Sequence, residues 1–281
     1  MGYGKLVSLR DKSLVERIST SIKMEIQMRG LSQGVTVALK GNEDNHNKYR
    51  YHSGYNSVPS IKENLIDIER EFNVLRNMFT ELSHADFDKG FVRRIIRGEV
   101  KLPDGAERWV LCPRWQIFAE QYGEALEVVF SALREVKHGN FHNSREMQLG
   151  PYYLTQIATT KHIFDRYSKE QMHHGILVIP IQLGMRFCGI SSDTVKTMFC
   201  STEGGIDSFT TSIILLTHLN RLQNNDDLWI SCPGDRYVCH AGGTLVHTPI
   251  FRHFNNQIDY SVRFESYKDP HIGYGSIFAL R

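Results

Sequence analysis

Cys232, Cys239, His240, His247 and His253 form the densest run of cysteines and histidines in the chain. Two chemistries use such residues. A structural zinc draws on thiolates and imidazoles, usually from close C-x2–4-C pairs. Cys232 and Cys239 are spaced more widely than that, and Cys239 adjoins His240, so no metal is expected here. The other chemistry is a nucleophile, base and orienter set. Cys232 would attack, His240 or His247 would take its proton, and Asp235 would orient the imidazole. Cys232 follows a short apolar segment, Leu228 to Ser231, and open α/β sheets place their ligand crevices past strand ends. Pro233 weighs against the idea, because proline offers no N–H to an oxyanion. Gln182 is polar inside an apolar run and must find a hydrogen-bond partner. It either joins this site or is a satisfied core amide.

Other groupings have plainer readings. His138, His142 and Glu146 stand at four-residue steps and would share a helix face suited to zinc. Gly139 and Asn140 intervene, however, and are expected to end the preceding helix. Asp226-Asp227, and Glu203 and Asp207 around Gly204-Gly205, are acids that can hold Mg²⁺. Helix capping explains Asp207 without a metal. The polar, Tyr-rich stretch 41–59 is either a connecting loop or a phosphate- or base-binding one. There is no P-loop, dinucleotide fingerprint, H-E-x-x-H or G-x-S-x-G motif. The sequence does not say which cofactor, if any, the protein uses.

The elements that would position these residues follow from periodicity. Ser13 with Glu16, and Ser60 with Glu63, are capping boxes ahead of helices. The second helix carries Ile61, Leu65, Ile68, Phe72, Leu75, Phe79 and Leu82 at alternating steps of four and three, a seam of about three heptads. That seam fits one helical partner, either inside the chain, in a second subunit, or in another protein. A non-catalytic interaction protein working through helix 60–82 is therefore the alternative to an enzyme of hydrolase or transferase type. Glu99 to Leu111 reads as a hairpin, Arg114 to His138 as a long helix, and 143–167 as a broken helix. Gly175 to Gly184 and Leu228 to Ser231 read as buried strands lying side by side. Asp207 caps a helix, and Ile250 to Phe264 is a hairpin turning at Asn255-Asn256.

The bulk composition agrees with a globular chain. It has 281 residues, 41% of them hydrophobic, with 33 Lys and Arg against 31 Asp and Glu. That balance disfavours a nucleic-acid partner. The five cysteines are odd in number and irregularly spaced, so free thiols in a cytoplasmic protein are expected. No apolar run approaches the ~20 residues that span a bilayer.

IPIQLG (179–184), LLTHLNRL (215–222), DDLWISCPGDRY (226–237) and TPIFR (248–252) resemble a family of uncharacterised bacterial proteins. The resemblance implies a shared fold for the C-terminal half and carries no activity. The expected architecture is α+β or mixed α/β, a helical N-terminal half packed on a C-terminal sheet of about four to six strands. One domain is expected, with a subdivision near residue 140 as the alternative.

Overall fold

The computed structural model describes residues 61–240, 246–264, 269 and 271–279. The first capping box, the Tyr-rich stretch and the side chains of Ile61 and Leu65 lie outside the described residues. Six α-helices and ten strands are described: α1 (Ile61–Met78), α2 (Lys89–Ile96), β1 (Arg108–Pro113), α3 (Tyr122–Val136), β2 (Phe141–Asn143), β3 (Leu154–Gln156), α4 (Ala158–Glu170), β4 (Ile176–Gly184), α5 (Ser192–Met198), β5 (Glu203–Gly205), α6 (Ser208–Thr217), β6 (Trp229–Ser231), β7 (Asp235–Val238), β8 (Val246–Phe254), β9 (Gln257–Phe264) and β10 (Ile272–Phe278).

All ten strands join one mixed sheet, ordered β1-β4-β10-β6-β8-β7-β3, with β5 on β10 and with β9 bridging β8 and β2. This corrects the expected helical half on a sheet of four to six strands. The missed strands β2, β3, β5 and β7 are three or four residues each, too short to show a period of two, and the seven-residue β10, interrupted by Gly273 and Gly275, was missed as well. The expected hairpin at 99–111 does not form. Only β1 is extended, and it pairs antiparallel with β4 from Arg108↔Ile181 to Pro113↔Ile176. The helix expected over 114–138 starts at Tyr122, after a 3₁₀ turn at Trp115–Ile117. The segment 143–167 holds β3 and most of α4 rather than one broken helix.

The two apolar strands β4 and β6 are not neighbours, because β10 lies between them. β10 pairs antiparallel with β4 at Tyr274–Ile277, parallel with β6 at Ile272–Tyr274, and antiparallel with β5 at Ser276–Phe278. The β8–β9 hairpin turns as expected at Asn255-Asn256, with φ of 51° and 61°. Asparagine tolerates that left-handed pair better than most residues.

All ten residues of α6 are buried, and its hydroxyls find partners inside: Thr211, Ser212 and Thr217 donate to carbonyls of the preceding turn, while Ser208 and Thr210 meet Tyr260 and Cys112. The helix lies between α3 and β1. α3 turns Tyr122, Ala125, Leu126, Val129, Phe130 and Leu133 inward at helical spacing. In the heptad seam, Ile68, Leu75, Phe79 and Leu82 are buried in the chain's own core. Phe72 is half-buried, edge-on to Phe87 at 5.1 Å.

A buried polar knot ties α1 to β1 and to the end of α6. Glu71 Oε2 accepts from Leu111 N at 2.6 Å, and its Oε1 is 3.4 Å from His218 Nε2. Arg108 Nη1 is 3.3 Å from the same Nε2. Arginine can only donate, so Nε2 accepts and the neutral ring carries its proton on Nδ1, toward Thr217 Oγ1 at 3.0 Å. Burial, then the Arg108 charge, lowers the His218 pKa to about 3. Between pH 6.5 and about 3 the unfolded chain therefore binds a proton that folded His218 refuses. This contribution is whole above pH 6.5 and is lost as the pH falls, by at most about 1.4 kcal/mol per unit. We expect His218→Gln to flatten the decline of unfolding free energy across that range in denaturant titrations. Parallel curves for the two proteins would count against it.

Candidate functional site

Two chain segments cross where β5 runs into α6 and where β6 turns into β7. Gly205 and Gly234 sit at the crossing, and Gly234 N donates to Ile206 O at 2.8 Å. A Cβ on either glycine would overlap the other segment's backbone. The close approach places Asp207 and Asp235 together at the N-terminus of α6.

Their hydrogen bonds define the site. Asp207 caps α6, its Oδ1 accepting from Thr210 N at 2.6 Å, and its Oδ2 accepts from Gln156 Nε2 at 2.6 Å. Asp235 Oδ2 accepts from Ser208 N at 2.7 Å. Tyr122 donates its hydroxyl to Asp235, lying 2.9 and 3.1 Å from the two carboxyl oxygens. Phe209 N reaches the same phenol oxygen at 3.3 Å, and Thr211 N bonds Asp207 O at 3.0 Å. The first four amides of α6 are thus all taken by the protein, which leaves this terminus no N–H for a phosphate.

Both carboxyls are buried, at 1% and 2% exposure. Burial raises the Asp207 pKa, and the bonds from Thr210 and Gln156 partly offset that rise. Burial and then the charge of Asp207 push Asp235 well above the usual carboxylate range. Two acids in one dry site do not both ionise readily, so the pair titrates as a unit.

Asp207 forms part of the floor of a cleft of about 270 Å³. Gln156, Thr210 and Cys112 share that floor, Trp115, Phe164 and Phe209 are apolar walls, and Arg114, Lys161 and Asp165 are charged groups on the lining. Trp115 stands edge-on to Tyr122 at 5.8 Å, which links the wall to the phenol beneath. Aromatic walls around a few converging polar groups are the usual make-up of a small-molecule site.

The residues singled out from sequence are dispersed around this centre. Asp235 belongs to it. Cys232 lies behind it, fully buried, its Sγ 3.3 Å from Thr211 Oγ1, and burial pushes its thiol pKa well above 9. His247 is buried on β8 opposite Tyr237, two residues along β7 from Asp235. His240 is exposed beyond the end of β7. Gln182 lies on β4 in a different network. Its Nε2 donates to Tyr274 O at 2.7 Å and to Ser276 Oγ at 2.6 Å, while its Oε1 accepts from Gly184 N at 2.7 Å. Ser276 in turn donates to Glu203, which Arg186 bridges at 2.8 Å. Gln182 is therefore a satisfied core amide.

His138 ends α3 with φ of 52° and His142 lies on β2, so the two do not share a helix face. Among the described residues, no three His, Cys, Asp or Glu side chains gather as metal ligands. No described helix is long and apolar enough to cross a membrane. Tyr122, Gln156, Thr210, Arg114 and Lys161 carried no sequence signal of their own; only Asp235 and the Asp207 cap were visible.

No family model, curated protein or solved structure matches the chain.

Two expectations follow. Gly205→Ala drives a methyl into the Gly234 backbone and should cost about 1–3 kcal/mol, as overpacking does; a denaturation midpoint equal to wild type would refute the crossing. In native protein at pH 8, iodoacetamide should label the half-buried Cys200 and Cys239 well before Cys112 or Cys232. Peptide mass spectrometry that finds Cys232 alkylated first would contradict its burial.

Proposed function

We propose that this protein is a small-molecule enzyme of hydrolase or transferase type, with Asp207 as its general acid–base. One observation carries the reading: a buried carboxyl, raised in proton affinity and coupled to a second, lies on the floor of an aromatic-walled cleft. Perturbed acids of this kind gather at active sites, because proton transfer is most efficient when the donor's pKa nears the working pH.

In its ionised state Asp207 takes a proton from water as the water oxygen attacks the substrate, and it returns that proton to the leaving group. Gln156, donating to Oδ2, fixes which way the carboxyl faces. Asp235 and Tyr122 act as positioning residues. Tyr122 donates to Asp235, and Asp235 accepts from Ser208 N, which fixes the helix end that carries Asp207. In this reading the nucleophile is water rather than Cys232, whose thiol stays protonated.

The alternative, an interaction protein working through helix 60–82, draws less support. The described part of that seam is largely committed to the chain's own core.

The test compares wild type with Asp207→Asn on p-nitrophenyl esters, phosphate esters and glycosides. Asparagine retains an oxygen to cap α6, so the fold should persist, as far-ultraviolet circular dichroism would report. Turnover should fall about 10²–10⁴-fold, the usual worth of general acid–base catalysis. A wild-type protein that cleaves none of the panel, or a variant as active as wild type, would overturn the assignment.

A further inference from the structure

The cleft beside Asp207 holds two cations, Arg114 and Lys161, that form no ion pair among the described residues. Both are held by local structure. Arg114 N donates to Gly175 O at 2.9 Å just before the 3₁₀ turn that presents Trp115, and Lys161 lies in the first turn of α4. Asp165 stands one turn beyond Lys161 without bridging it. Asp207 is the other acid on the lining, and its bonds go to Thr210 and Gln156. Two uncommitted cations therefore share a confined space with aromatic walls. An arginine fork and an ammonium group together match a carboxylate or phosphate, and the walls match a flat apolar body. The volume of about 270 Å³ is at the small end for a ligand pocket.

We propose that the cleft binds a small planar, mainly apolar molecule bearing one oxyanion group, with Arg114 and Lys161 holding the oxyanion and Trp115, Phe164 and Phe209 enclosing the ring. As the substrate class of the reaction above, it rests on that reading; as a binding site, it stands on the cations and the walls alone. The oxyanion anchors one end, so the bond to be broken lies at the other, toward Asp207.

Isothermal titration of the intact chain with benzoate, phenyl phosphate, benzamide and acetate tests the assignment. Benzoate or phenyl phosphate should bind, and the one that binds tells carboxylate from phosphate. Acetate lacks the ring and benzamide lacks the charge, so both should bind at least about tenfold more weakly. The double variant Arg114→Gln/Lys161→Gln should lose the preferred anion by at least about tenfold, with its melting temperature little changed because Lys161 is exposed and Arg114 only half-buried, neither in an ion pair among the described residues. Asp207→Asn should bind the anion as tightly as wild type or more tightly. Failure of both aromatic anions to bind, benzamide binding as well as benzoate, or full affinity in the double variant would each overturn the proposal. Anion binding that persists while Asp207→Asn keeps full turnover would sink the acid–base reading and leave this one standing. Turnover lost in Asp207→Asn, with the double variant unaffected in binding and rate, would do the reverse.

Discussion

The contact of two bare backbones at Gly205 and Gly234 governs the arrangement of everything around it. Neither residue can carry a Cβ there, and the bond from Gly234 N to Ile206 O closes the gap. Because the segments touch, the carboxyls just beyond them meet at one helix end. Desolvation raises the proton affinity of both acids, while the amides of α6 and the Tyr122 hydroxyl stabilise the charged forms. Full ionisation and full neutrality are both opposed, which is the condition a proton-transferring pair requires. The surroundings serve that balance. α6 is buried on every side and packs against α3 and β1.

The fold was legible where elements are long or chemically marked. The buried strand β4, the β8–β9 hairpin with its two asparagines, the Asp207 cap and the glycine at the end of α3 all follow from local rules. What escaped was set by partners distant in sequence. A three-residue strand such as β3 is extended only because β7 is there to pair with it. The 99–111 segment has a turn signal, yet β1 lies against the fully buried β4 rather than folding back on Val100 and Leu102. Equally, β4 and β6 were each visible, but the strand that separates them, β10, comes later in the chain.

The site was legible only in part, for a similar reason. Cysteine and histidine density drew attention to the segment after β6, and that segment does supply Asp235. Density in sequence says nothing about depth, however, and Cys232 lies in the interior while His240 lies at the surface. Tyr122 and Gln156 come from α3 and β3, far from Asp207 and Asp235 along the chain. Nothing in their neighbours marks them. A capping aspartate ahead of the apolar run Ile213 to Leu216 was the available clue, because a helix buried all round carries its cap into the interior with it.

The position of β10 also bears on how the chain acquires this structure. β4 is buried along its whole length and apolar apart from Gln182, which bonds Tyr274, 92 residues later. β6 and β5 depend on the same late strand. Until β10 arrives, one edge of β4 is open and its side chains lack their final cover. Long-range closure of this kind is slow, and an uncovered apolar edge invites pairing with other chains. Assembly of the sheet is therefore a race between the arrival of its own last strand and capture by a neighbour, a race that chaperones or low protein concentration would decide in favour of the native partner.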